Sequence, residues 1–141
     1  MTGDNTLALI KQFADAAPVS SWLGFSAASD NDELVFQLSF AEHHIGNALI
    51  RALHGGAIAA FLEFSAQAAL HAQINGDLSI TTVNTDIDYL TSARAQDMKS
   101  RVKFLRIGRR LAFVEATGWQ KSEATPVAVA RFRFRLGDPK K

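Results

Sequence analysis

The sequence predicts an α+β protein: an antiparallel sheet covering one long, apolar helix. Three observations predict it. Residues 57–74 are the one stretch long and apolar enough for a buried helix. From residue 82 onward the hydrophobic period changes to two and stays so through four successive runs. Short turns join those runs, which favours antiparallel pairing over a doubly wound sheet. With 141 residues and no repeat, low-complexity tract or linker, the chain reads as one domain over 1–141.

The elements follow in order. Residues 5–16 place Leu7, Ile10, Phe13 and Ala14 on one helical face, and Pro18 ends the pattern. In 33–40, Leu34, Phe36, Leu38 and Phe40 share one side of a strand. The segment from Val19 to Ala28 is its expected hairpin partner, across the turn-rich Ser29-Asp30-Asn31-Asp32. Residues 41–53 have no clean period and read as loop or irregular turn. The long helix then stops at Asn75-Gly76, a left-handed signal. Beyond it, Val83, Thr85, Ile87 and Tyr89 alternate against Thr82, Asn84, Asp86 and Asp88. Runs at 98–107, 111–120 and 126–136 complete the set, with turns at Gly108-Arg109 and 122–125. In the last run Phe132 and Phe134 are expected inside, with Arg131, Arg133 and Arg135 outside.

Composition excludes several function classes. Cysteine is absent, which removes disulfides, thiolate metal sites and a cysteine nucleophile. Fifteen basic and fourteen acidic residues give a net charge of +1, too balanced for general nucleic-acid binding. The alternation in 131–135 buries the aromatics that a single-strand binder would expose. No run approaches the roughly 20 apolar residues of a membrane span. The N-terminal residues lack the basic-then-apolar pattern of a secretion signal. A soluble, cytoplasmic protein is the expectation. The clusters Arg106-Ile107-Gly108-Arg109-Arg110 and 131–135 suit a small polyanionic ligand.

Glu63 stands in the middle of the helix where everything near it is small or apolar. Removing an ionised carboxylate from water without a partner is strongly unfavourable. Lys and Arg are absent from 52 through 93, so no nearby cation answers it. It is either solvated at an edge, paired with a distant arginine such as Arg109, or a catalytic carboxylate in a cleft. The residues before the helix favour the cleft. His54-Gly55-Gly56 leads into the first turn, where unpaired amides and the positive end of the helix dipole gather. Glycines there admit a substrate oxygen to the backbone N–H groups, the construction of an oxyanion hole. His54 either holds the turn or contacts the substrate.

Gly55 and Glu63 are eight residues apart, roughly 12 Å along a helix. One helix does not bring both groups to one carbonyl. Two copies about a two-fold axis do, so the sequence predicts an obligate homodimer with two composite sites. The small-residue face of Gly56, Ala59, Ala60, Glu63, Ala66 and Gln67 is where chains and substrate would converge.

The segments 46–63, 81–94 and 106–119 resemble the hotdog-fold acyl-CoA thioesterases of the phenylacetate-degradation, PaaI-like type, in order over about Leu34 to Leu136. The resemblance implies a sheet wrapped round the long helix, paired in dimers and often in a dimer of dimers. It implies hydrolysis of an acyl-CoA thioester to a free acid and CoA, with no cofactor besides the CoA of the substrate. Carried over by position, the Gly55 amide polarises the thioester carbonyl and Glu63 of the other chain acts as nucleophile or base. Thr82 assists the carboxylate or its water, His54 orients the site, and Gly56 lies against the substrate. Arg109 and Arg110, presented by the turn at Gly108, contact the CoA phosphates, for which arginine's bidentate chemistry is suited. The family usually carries Asn or Gln six residues before the motif histidine. Here that position is Ala48, with Asn47 beside it as the substitute.

Two rivals share the fold: an enoyl-CoA hydratase or dehydratase, and a non-catalytic acyl-CoA sensor. A metal site from His43, His44, His54 and His71 is the least favoured reading, because adjacent histidines do not easily point at one ion.

Overall fold

The computed structural model describes residues 4–139. Helices α1 (Asp4–Asp15) and α2 (Pro18–Leu23) precede strands β1 (Phe25–Asp30) and β2 (Glu33–Leu38). A 3₁₀ turn (Glu42–His44) leads to the short strands β3 (Ile45–Asn47) and β4 (Ala52–Leu53), then to the long helix α3 (Gly55–Gln73). Strands β5 (Leu78–Tyr89), β6 (Met98–Ile107), β7 (Leu111–Trp119) and β8 (Ala128–Pro139) follow.

The main sheet is antiparallel in the order β1-β2-β6-β7-β8-β5, with α3 against its inner face. Ile58, Phe61, Leu62, Ser65 and Ala69 of α3 are buried, but so are Phe64, Ala68 and Leu70. Ala66, expected on the convergent face, is covered within the chain, because α3 is packed nearly all round beyond Glu63. Gly118 lets Leu62 and Met98 close over β7: a Cβ there would lie 3.1 Å from Leu62 Cδ2 and 3.2 Å from Met98 Sδ. Two buried hydroxyls tie the layers together. Ser100 donates to Ser65 at 2.8 Å, and Ser65 donates to the Phe61 carbonyl at 2.8 Å. Helix α1 covers the later turns of α3 from the other side, with Phe13 against Phe64 at 5.2 Å and His71 at 5.0 Å. An apolar helix needs cover on more than one side, and α1 supplies it at Phe64 and His71.

Four further expectations change. Only the second half of the Val19–Ala28 segment is strand. Pro18 at the first helical position and Gly24 in the left-handed region (φ 62°) make the first half a short helix. Asn31 and Asp32, both at positive φ, form the tight β1–β2 turn. Residues 41–53 are not plain loop, because β3 and β4 pair as a small hairpin anchored to the body by Ala52–Arg94. Strands β5 and β6 are consecutive yet not neighbours: β5 pairs with β8 and forms the edge of the sheet.

The fourth change is a bulge. Thr82 faces Phe134 and Asn84 faces Arg133, so Val83 is the extra residue. It breaks the expected alternation in β5. Thr82, Thr85, Ile87 and Tyr89 lie opposite Phe134, Phe132, Ala130 and Ala128, and all four therefore share the face towards α3. In β8 the alternation holds, with Phe132 and Phe134 buried and the three arginines exposed.

Candidate active site

Glu63 is half-buried at the middle of α3. The Thr82 hydroxyl donates to its Oε2 at 2.6 Å. Gln67, one turn further along α3 and on the same side, donates from Nε2 to the Thr82 hydroxyl oxygen at 3.1 Å. The same nitrogen lies 3.5 Å from Glu63 Oε2. Every polar contact of the carboxylate among the described residues is thus to Oε2, from neutral donors. Oε1 has no polar partner among the described residues. Pairing with Arg109 or another cation does not occur among the described residues.

The turn into α3 is built around His54. Its ring caps the helix: the Gly56 N–H donates to Nδ1 at 2.8 Å, which leaves the ring proton on Nε2. Of the two expected amides, Gly56 is therefore committed to the histidine. The Gly55 N–H, the first of the helix, has no carbonyl one turn behind it. Tyr89, at the end of β5, donates its hydroxyl to the Gly55 carbonyl at 2.8 Å and braces the turn from the sheet. Gly46 of β3 runs close over His54, where a Cβ would come 2.7 Å from its Cα. The His54 N–H donates to the His44 carbonyl at 2.8 Å, and buried His44 bonds the Trp22 carbonyl at 2.7 Å and the Ala41 N–H at 3.1 Å. A chain of contacts from α2 through the hairpin therefore holds the turn in place.

The remaining predicted residues lie elsewhere. Asn47 turns back on its own loop, accepting from the Leu49 N–H at 3.1 Å, and is exposed; within one chain it is not brought to Glu63. Arg109 and Arg110 stand in the β6–β7 turn, closed by the Gly108 N–H to the Leu111 carbonyl at 2.8 Å. With Arg135, Leu78 and Asp138 they border a basin of about 420 Å³. Leu78 is four residues from Thr82, about 13 Å along β5, so this basic basin is separate from the carboxylate. Gly55 and Glu63 also remain about 12 Å apart along α3.

The sequence places Gln67 on the convergent face but gives it no role, and Tyr89 is not among the expected site residues. Gln67 sits four residues after Glu63, a spacing that marks a possible helix-face partner in any sequence. For Tyr89 no local signal exists, because its reach to Gly55 depends on the path of β5.

The thioesterase superfamily model matches residues 51–127, more than half of the chain. The chain belongs to the thioesterase superfamily. No curated protein matches it in sequence. Among solved structures, a protein of Chromobacterium violaceum is similar, 31% identical over 95% of this chain and 97% of its own, with a TM-score of 0.74. The PaaI protein from the phenylacetic acid degradation operon of E. coli is 14% identical over 96% of both chains, with a TM-score of 0.82. A mutant thioesterase of Pseudomonas aeruginosa is 17% identical, covering 99% of this chain and 97% of its own, with a TM-score of 0.80. The six-stranded sheet against one long helix is thus the hotdog fold of the PaaI-like members of the superfamily. Among the described residues, no helix is long and apolar enough to cross a membrane.

Proposed function

We propose that this protein is an acyl-CoA thioesterase, hydrolysing the thioester to a carboxylic acid and CoA. The observation that carries the reading is the Glu63 carboxylate, fixed through Oε2 by Thr82 at 2.6 Å with Oε1 unengaged. Water and the acyl-CoA are the only reactants, and no cofactor enters. The Gly55 N–H takes the carbonyl oxygen as it gains charge, aided by the positive end of α3. Glu63 Oε1 then either attacks the carbonyl carbon or removes a proton from the water that does. The C–S bond breaks, and CoA leaves as the thiolate, which takes up a proton. On the direct-attack route the acyl group is then held as an anhydride on Glu63, and water hydrolyses it to release the acid and restore the carboxylate. Arg109 and Arg110, joined by Arg135, hold the CoA phosphates.

The amide and the carboxylate come from different subunits in this reading. Two features support an obligate homodimer, which the reading pairs further into a dimer of dimers. One helix holds the groups about 12 Å apart, too far for one carbonyl. The edge strand β5, which carries Thr82, presents Val83 and Tyr89 half-exposed. An edge of this length with apolar side chains is a natural seat for a second copy.

The test is thiol release from aryl, short-chain and long-chain acyl-CoAs. Glu63→Gln is expected to lower kcat by about 10²-fold or more with the fold intact. Unchanged turnover in that variant rejects the mechanism. Binding without turnover on every substrate makes the protein a sensor, and loss of enoyl-CoA absorbance without thiol release makes it a hydratase.

A further inference from the structure

We propose that Gln67 is a positioning residue that acts on the carboxylate through Thr82 and so selects Oε1 of Glu63 as the reacting oxygen. The inference rests on the thioesterase reading and deepens it. A threonine hydroxyl has one proton. At 2.6 Å from a carboxylate oxygen, that proton lies on the line to Glu63 Oε2. Whatever meets the hydroxyl oxygen from the other side must therefore be a donor. This fixes the amide of Gln67 with its nitrogen towards Thr82, at 3.1 Å. The result is a one-way chain, amide to hydroxyl to carboxylate, in which each link polarises the next.

Without Gln67 the hydroxyl is free to rotate its proton away towards other acceptors. The carboxylate then gains a second orientation about its terminal torsion, which is soft in glutamate. With Gln67 in place Oε2 is the anchored oxygen and Oε1 the presented one. The long 3.5 Å approach of Gln67 to Oε2 is too weak to serve as the anchor itself, so the effect passes through the hydroxyl.

The experiment is a kinetic cycle on the full-length protein with its best acyl-CoA. Gln67→Leu removes the donor at nearly the same volume, and Thr82→Val removes the hydroxyl. Gln67→Leu is expected to lower kcat about five- to tenfold and to leave KM within about twofold. In the Thr82→Val background the same change is expected to have no further effect. In the Thr82→Ser background its effect is expected to return. Losses that multiply in the double variant, or a Gln67→Leu enzyme with wild-type kcat, overturn the proposal.

A second readout is independent of turnover. The Thr82 hydroxyl proton is expected to exchange slowly enough for detection by NMR in the wild type and to be lost in Gln67→Leu. Its persistence in Gln67→Leu overturns the proposal even if no substrate is found. The functional reading itself fails separately, if Glu63→Gln retains full turnover or the wild type has none.

Discussion

At the scale of single residues, the site depends on a few groups placed to within hydrogen-bond distance. Tyr89 is the clearest positioning residue at the start of α3. Its hydroxyl holds the Gly55 carbonyl at 2.8 Å and, through it, the turn that aims the neighbouring amide. Tyr89→Phe keeps the ring and deletes the bond; a few-fold fall in kcat/KM is expected, with a stability loss of about 1 kcal/mol by denaturant titration. Wild-type kinetics in that variant would remove Tyr89 from the account. Leu62 is fully buried between α3 and the sheet. Leu62→Ala is expected to destabilise by about 2–5 kcal/mol, since its neighbours close the cavity only in part. The pattern of small residues around Glu63 made that carboxylate legible from sequence, and the glycine pair made the turn legible. Gln67 and Thr82 could not be joined in advance. Their meeting depends on where β5 runs, and nothing within a few residues of either encodes that.

At the scale of elements, local periodicity was informative wherever one chain segment decides its own structure. The helix expected at 57–74 spans Gly55–Gln73, and the run at 98–107 is β6 to the residue. Where long-range pairing decides, the sequence was silent. Residues 18–23 could have extended β1, but Pro18 and Gly24 close a helical turn there. Strands β3 and β4 are too short to show a period, and they exist because the hairpin packs over His54 through Gly46. Gly46→Val is therefore expected to displace the hairpin from His54, read as faster amide exchange over residues 45–54 and a lower kcat. The hairpin also carries an acid-sensitive clasp. The Arg51 guanidinium bonds Glu42 at 2.7 and 3.0 Å, and these bonds hold the Glu42 carboxyl below its ordinary value. A depressed value means that the stabilisation is full above the ordinary carboxylate range and is lost as pH falls through the lowered value. Hairpin amide protection factors, which correct for the intrinsic slowing of exchange in acid, are expected to fall on acidification more in the wild type than in Glu42→Gln.

For the whole molecule, the decisive question is whether a reaction centre is shared between chains. Complementation answers it directly. Gly55→Pro deletes the amide donor at the first helical position, where proline is tolerated, and His54 already has the extended conformation that a following proline requires (φ −64°, ψ 132°). Gly55→Pro and Glu63→Gln are each expected to be inactive. Mixed in equal amounts and allowed to exchange subunits, they are expected to recover about a quarter of wild-type activity, because half the dimers then contain one intact site of two. No recovery, despite hybrid dimers shown by mass spectrometry, would place both groups in one chain. The fold class, and the family with it, could be read from the sequence because hydrophobic period and turn chemistry agree along most of the chain. The sheet order could not, since β5 at the edge beside β8 is a choice among pairings that local pattern leaves equal.

The bulge at Val83 has a further consequence for how this strand tolerates change. Thr82 and Tyr89 are an odd number of positions apart, so a regular strand would turn them to opposite faces. The one extra residue restores parity, and a single strand then serves two points of α3: a hydroxyl for the Glu63 carboxylate at its middle, a phenol for its opening turn. Substituting Val83 with another side chain leaves that arithmetic untouched. Deleting it does not, and the shortened strand could satisfy one of these two contacts only by abandoning the other.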